Sequence, residues 1–310
     1  MPIHKEKEET MGSKTKLAKK TNKMLYYYAM LIPFLVCFLV FLVIPIIASV
    51  VLSFFDFDMI NAPKFVGIDN YIRMLIDDEV FVKTLSNTIT FAVITGPAGF
   101  LLSFVLAWFI NEFNPTFRNI LSFMIYCPAL AGSAYFIWQI SFSSDSYGYI
   151  NSILLSANLI TEPISWLKNA SYTMPIIIIV QLWQSMGVSF LANISGLQNV
   201  NGELFEAGAI DGIRNRWQEL WYITLPVMKH ILLFSAVMQI ASAFSVGTVA
   251  TELAGYPSVD NSVDMLVPYL SDAGMVRYEM GYASAISVFL FLLMAISREI
   301  IARLLNRTGK

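Results

Sequence analysis

Charge is scarce in this sequence. Only 14% of its 310 residues are Asp, Glu, Lys or Arg, while 56% are hydrophobic; a soluble domain carries about 25% charge. There are two cysteines and two histidines. Cys37 and Cys127 fall inside apolar runs and read as small packing residues with no disulfide, while His4 lies in a polar tail and His230 at the edge of an apolar run. That leaves almost nothing for a metal site or for nucleophilic catalysis. H-E-x-x-H, G-x-S-x-G and G-x-G-x-x-G are all missing, which removes the common hydrolase and dinucleotide chemistries. The stretch MGSKTK near the start has no glycine upstream of the kind a phosphate loop requires, so it is tail. The sequons at Asn169, Asn193 and Asn306 are chance-level matches. A chain with no nucleotide site cannot hydrolyse ATP by itself, so any ATP that powers it is bound elsewhere. No basic helix or aromatic–basic interleaving appears, and nucleic acid is not an expected partner.

What fills the chain is hydrocarbon. A bilayer core about 30 Å thick takes about 20 apolar helical residues per crossing. Six such runs are found, at about Ala29–Ser53, Thr88–Ile110, Ile120–Phe142, Met174–Leu197, Ile231–Ala250 and Gly281–Ile296. The expected fold is therefore an all-α membrane protein with six transmembrane helices and both termini on one side, embedded in lipid. The first run is too long for a signal-peptide core and no small-residue cleavage site follows it, so it reads as a retained span. Residues 1–24 hold seven lysines against three glutamates and no apolar periodicity, as expected for a solvated tail. Lys and Arg concentrate on cytoplasmic flanks. They occur here in the tail, at Arg118, at Arg214, Arg216 and Lys229, and at Arg298, Arg303, Arg307 and Lys310. The opposite loops lean acidic (Asp56, Asp58, Asp77, Asp78, Glu79, then Asp260, Asp264 and Asp272), with Lys64, Arg73, Lys83 and Arg277 as exceptions. Both termini are thus expected in the cytoplasm. The organisation reads as a basic tail (1–24), a first span with an outer loop (25–84), a main membrane domain (85–300) and a C-terminal tail (301–310).

No Asp, Glu, Lys or Arg lies near the middle of any run. Ion- and proton-coupled carriers normally have at least one there. The polar residues inside are neutral: Gln181, Gln184 and Ser185 in the fourth run, Gln239 and Ser242 in the fifth, Ser284 and Ser287 in the sixth. Positions 181, 184 and 185 share a helical face, as do 239 and 242. Amides and hydroxyls suit an uncharged polyhydroxylated ligand, and they equally suit hydrogen bonding from helix to helix at about 0.6 kcal/mol each. In the second run, Pro97 kinks the helix while Gly96 and Gly99 permit close approach of a neighbour; this fits a moving bundle and a static one alike.

One segment breaks the hydrocarbon pattern. Between the fourth and fifth runs stands EAGAIDGIRNRWQELWYITLP, Glu206–Pro226. From Gly202 to about Arg214 the pattern favours a helix with Glu203 and Glu206 at its positive end. Ala207, Gly208 and Gly212 are small, and 208 and 212 would lie one turn apart on a common face. Two helical glycines cost up to about 1 kcal/mol each against alanine, which is reasonable where another surface must approach the backbone. A second helix, RWQELWYI, leads to Pro226, expected in the first turn of the fifth span. On residues alone the segment is either a docking helix or a solvated connector at the headgroups.

This segment resembles the EAA loop of bacterial ATP-binding-cassette import permeases, with Glu206, Ala207, Gly212, Ile223, Leu225 and Pro226 on the motif and Gly208 where alanine is usual. The gap between Gly212 and Ile223 is one residue longer than the usual form. The stretches Lys64–Phe91, YGYINSILL (Tyr147–Leu155), GLQNVNGELFEAGAIDG and GYASAISVFLF (Gly281–Phe291) resemble the sugar-import branch, on its maltose-permease-like subunit, whereas TELAGYPSVDNS (Thr251–Ser262) departs from the glycine-rich outer loop common there. The resemblance implies a type I importer permease fold, with 85–300 as the transmembrane domain and 202–226 as its cytoplasmic coupling loop in a bacterial plasma membrane. It implies a second permease subunit, two ATPase subunits that bind ATP and Mg, and an extracellular solute-binding protein delivering a sugar. Glu203, Glu206, Ala207, Gly208, Asp211, Gly212 and Pro226 would form the ATPase-docking element. Sugar would be lined by Gln181, Gln184, Ser185, Gln239 and Ser242, with Trp183 as a stacking platform. No cofactor, metal or catalytic residue is expected on this chain. The other readings are an importer of a glycerol phosphate or polyol and, further off, an ATP-independent secondary carrier.

Overall fold

A computed structural model describes residues 30–131, 135–245 and 247–307. The basic tail 1–24 lies outside the described residues. Helix α1 (Met30–Leu52) is apolar on every side, and none of it is buried within the chain; such a helix needs lipid around it. It widens into a π-helical turn at Leu39–Val43 immediately ahead of Pro45, which has no N–H to donate to the preceding turn. A small antiparallel hairpin follows, β1 (Phe55–Asp56) on β2 (Lys64–Phe65).

Helix α2 (Glu79–Asn111) runs unbroken through Pro97 for 33 residues, about 50 Å at 1.5 Å per residue. It starts nine residues before the predicted run because Asp78 caps it, accepting from Phe81 N–H at 2.9 Å. Two helices, α3 (Pro115–Leu130) and α4 (Tyr135–Ser141), stand where one third span was expected. After α5 (Tyr149–Ser156) the fourth span is also two pieces, α6 (Ala170–Gln184) and α7 (Val188–Gln198), inclined at 42°. Then come α8 (Gly202–Ile210), α9 (Arg216–Val227) and α10 (Lys229–Ser245), with α10 turned 81° from α9. The fifth predicted run stops at Ser245, and α11 (Thr248–Ala254) is separate. A Cβ on Gly247 would lie 2.3 Å from Pro268 Cδ, so the chain breaks where the proline ring of α12 (Leu266–Ser271) rests on it. Helix α13 (Met280–Arg307) closes the fold.

Among the described residues, three helices are thus long and apolar enough to cross a membrane unbroken, and six spans result only when each bent pair is taken as one. Hydrophobicity reads a span by its length and does not register where it bends. The bundle is held by α2, α7, α10 and α13. Phe104, Ala107 and Ile110 of α2 pack with Phe190, Ile194 and Leu197 of α7. Neutral polar groups tie the same helices: Ser189 and Ser235 exchange hydroxyl-to-carbonyl bonds at 3.1 and 3.4 Å, and Asn193 donates to Ser103 Oγ at 3.3 Å. Cys37 and Cys127 are both free and lie exposed on the chain's surface, not packed inside it.

At the hairpin end, two of the four exceptions to the charge bias, Arg73 and Arg277, find partners. Arg73 pairs with Glu279 at 3.0 Å and lies 4.2 Å over the Tyr282 ring. Arg277 pairs with Asp272 at 3.0 Å and sits 5.0 Å from the Tyr269 ring centre. Between them Asp78 accepts from Tyr282 Oη at 2.5 Å and from Tyr269 Oη. Burial pushes the Asp78 carboxyl up, but the hydrogen bonds from Tyr269, Tyr282 and the Phe81 N–H outweigh it and hold it below the ordinary carboxylate range. The folded chain therefore binds this proton less tightly than the unfolded chain. The resulting stability is fully present above about pH 5 and is lost as pH falls below about 4 through the lowered value. Asp78→Ala removes a cap worth about 1 kcal/mol and two charge-assisted bonds, for an expected loss of about 3 kcal/mol at neutral pH. The gap between thermal midpoints at pH 7 and about pH 2.5 should narrow in the variant; an unchanged gap would assign the acid sensitivity to other groups.

Candidate functional site

Two places bring the sequence-selected residues together. The first is a cavity of about 300 Å³ among the inner helices. Gln181, Gln184 and Ser185 reach it from the C-terminal end of α6, and Gln239 and Ser242 from α10. The α6–α7 break adds Gly187, Val188 and Ser189, while Met238, Ala129 and Tyr135 complete the wall. Among the described residues, no charged side chain lines it. Gln181 and Gln239 are only 5% and 3% exposed, and Gln184 Oε1 is buried without a hydrogen-bond partner among the described residues. A buried amide oxygen left so costs about 1–3 kcal/mol, and a donor placed in the cavity would relieve that cost. Ser185 Oγ donates to the Leu182 carbonyl at 3.1 Å, which leaves its lone pairs toward the space.

Trp183 is not part of this wall. It meets Trp138 edge to face at 5.5 Å, and Trp138 stacks on Phe142 at 5.9 Å. On a helix, position 183 points about 100° away from 184, which explains its turn into an aromatic cluster. The aromatic face of the cavity belongs to Tyr135, which sequence reading passed over because no periodic neighbour marks it. Ser284 and Ser287 of α13 stay outside the wall as well.

The second place is the 202–226 loop. Asn201 caps α8, accepting from Glu203 N–H at 3.1 Å and donating to its carboxylate at 3.2 Å. The helix ends at Ile210, earlier than the expected Arg214. Ile213 N–H donates to Gly208 O at 2.9 Å and Gly212 N–H to Ala209 O at 3.3 Å; this is a Schellman stop. It requires Gly212 at φ +93°. The two glycines therefore do not share a helical face. Gly208 is buried, and a Cβ there would meet Ile223 Cδ1 at 2.7 Å and Ile213 Cδ1 at 3.0 Å. Its smallness serves the loop's own packing, so the expectation that it offers backbone to a partner is corrected. Glu203, Glu206, Ala207, Asp211 and Gly212 are exposed together on the outside of the loop.

Helix α9 is anchored independently. Asn215 caps it, Arg216 bridges Glu112 at the end of α2 at 2.8 Å, and Trp217 packs on Trp108 at 5.3 Å. Its π-helical turn, Leu220–Thr224, takes up one residue more than an α turn. Pro226 lies in the last turn of α9, exposed, before the 81° bend; it ends α9 and does not open α10.

No protein-family model matches the chain. Among curated proteins it is similar to the probable ABC transporter permease protein YesP of Bacillus subtilis (strain 168), 32% identical over 280 residues that cover 88% of this chain and 87% of that protein. It is 31% identical to the arabinooligosaccharides transport system permease protein AraP of the same organism, across 87% of this chain and 85% of that one. The trehalose/maltose transport system permease protein MalF of Thermococcus litoralis is 27% identical over 86% of this chain and 89% of its own length. In structure it is similar to a bacterial ABC transporter involved in the import of the acidic polysaccharide alginate, with a TM-score of 0.78 and 23% identity over 95% of this chain and 100% of that chain. The fold is thus shared with that importer. At 32% and 31% identity along nearly their whole length to such relatives, this chain belongs to the permease proteins of ABC transporters, in the branch whose curated members include sugar and oligosaccharide permeases.

Proposed function

We propose that this chain forms one half of the translocation pore of an ATP-driven importer for an uncharged sugar or oligosaccharide. A second permease subunit supplies the other half, a solute-binding protein delivers the sugar at the hairpin end, and two ATPase subunits bind ATP and Mg. The 202–226 loop lies in the cytoplasm with both termini, and α8 with Glu206, Asp211 and Gly212 docks on an ATPase. Residues 85–300 act as the transmembrane domain, in the plasma membrane of a bacterium.

The single observation that carries the substrate reading is the cavity wall of amides and hydroxyls without a charged group. Carboxamides both donate and accept, which matches sugar hydroxyls, and Tyr135 supplies an aromatic face. A phosphate or uronate would meet no cation there, which disfavours a glycerol phosphate. Membership of the permease family sets the ATP-independent carrier aside.

The test is uptake by host cells of radiolabelled lactose, maltose, trehalose and arabino-oligosaccharides, with and without this chain. Gln181→Ala and Gln239→Ala should each raise KM for the transported saccharide by about tenfold, one lost hydrogen bond each. Co-purification of a second permease and an ATPase in mild detergent checks the assembly. Native uptake constants in both variants would refute the lining assignment, and recovery of the chain alone would refute the assembly.

A further inference from the structure

Gly99 lies midway along α2, where alanine would be better by about 1 kcal/mol on helix propensity alone. Its neighbour Gly96 has room to spare: a Cβ there would meet only Ala243 Cβ, at 4.0 Å. At Gly99 the same atom would sit 2.1 Å from Gln239 Nε2, 3.0 Å from Gln239 Cδ and 3.1 Å from Ser185 Oγ. Both side chains line the cavity. The carboxamide of Gln239 therefore lies directly on the α2 backbone, in the space that a side chain at 99 would fill.

We propose that Gly99 is a positioning residue for solute recognition: it seats the Gln239 carboxamide against α2 and thereby sets the direction in which that amide faces the cavity. The inference rests on the reading of this cavity as the sugar-lined part of the pore. A glutamine side chain has three rotatable bonds, and without a seat its amide would sample several rotamers at an entropic cost to binding. The atoms that a Cβ would strike are the far ends of flexible side chains, not backbone. A methyl at 99 therefore leaves the fold standing and swings the carboxamide out into the cavity. Such a residue alters recognition while sparing stability, the opposite of a packing glycine.

The experiment is a double-mutant cycle in the whole transporter in host cells, measuring KM and maximal rate for the fastest-moving saccharide of the panel above. Gly99→Ala should raise KM by about tenfold, with the maximal rate of uptake and the thermal midpoint of the purified complex held. Gly96→Ala is the control and should leave the transport constants at native values. In a Gln239→Ala background, Gly99→Ala should add nothing, because the side chain it displaces is gone. Native KM in Gly99→Ala beside an impaired Gln239→Ala would overturn the positioning role alone. Independent, additive effects in the double variant would do the same. Native KM in Gln239→Ala itself would overturn the lining reading and the positioning role with it.

Discussion

Replacing Gly281 with alanine is expected to destabilise the chain by about 3 kcal/mol or more, although alanine is the better helix former by about 1 kcal/mol. Gly281 is in the first turn of α13, and its N–H donates to the Phe57 carbonyl at 3.2 Å. A Cβ there would lie 1.9 Å from the Phe55 carbonyl oxygen, 3.0 Å from its carbon and 3.2 Å from Phe57 N. All three are backbone atoms, which no rotamer change can move aside. The hairpin β1–β2 must then lift off α13 as a unit. Lifting also disturbs the anchor beside it, where Asn70 donates to the Ser53 and Phe55 carbonyls at 2.9 and 3.0 Å. The measurement is the thermal midpoint of purified protein in detergent, with protease sensitivity of residues 55–66 as a local probe. A midpoint equal to or above that of the native chain would mean that the hairpin does not rest on Gly281.

The second large effect is expected at Gly212. Its φ of +93° is a conformation that costs a β-branched residue about 2 kcal/mol, while the space around it is open, with nothing within 4 Å of a Cβ. The penalty for Gly212→Val is therefore one of backbone, not of bulk within the chain. The Schellman stop must open, and Asp211 and Ile213 leave their places relative to α8. Association with the ATPase should weaken by up to about thirtyfold, and uptake should fall with it. Gly212→Asn is of similar size but tolerates left-handed backbone better, and it should retain most of the association. Pull-down of the ATPase from native membranes by tagged variants decides the matter. Equal loss for Val and Asn would indicate that the partner sits on the glycine itself and cannot bear any side chain. Equal retention would remove the loop end from the docking surface.

The location of both candidate sites was legible in the residues. Apolar runs of about 20 residues, the segregation of Lys and Arg, and a polar segment with glycines and a closing proline are local features, and hydrocarbon thickness turns run length into a count of crossings. The shared faces of 181, 184 and 185 and of 239 and 242 followed from helical period alone, and all five side chains line one cavity. Trp183 was off that face by the same geometry, and Tyr135 occupies the place it was assigned.

The tertiary structure alone decided what each glycine and proline is for. Gly96 and Gly99 read identically in the sequence, yet one faces a methyl at a comfortable distance and the other holds a carboxamide. Gly208 and Gly212 read as one small-residue face, yet one is buried under Ile223 and the other turns the chain past the end of α8. Gly247 breaks a run that hydropathy carries on to Ala250, because Pro268, twenty-one residues later in the sequence, packs on it. Composition and period describe what a residue offers its near neighbours and the solvent. The close approach of two backbones, or of a side chain to a backbone, depends on a partner that folding brings from far along the chain, and no local pattern specifies it.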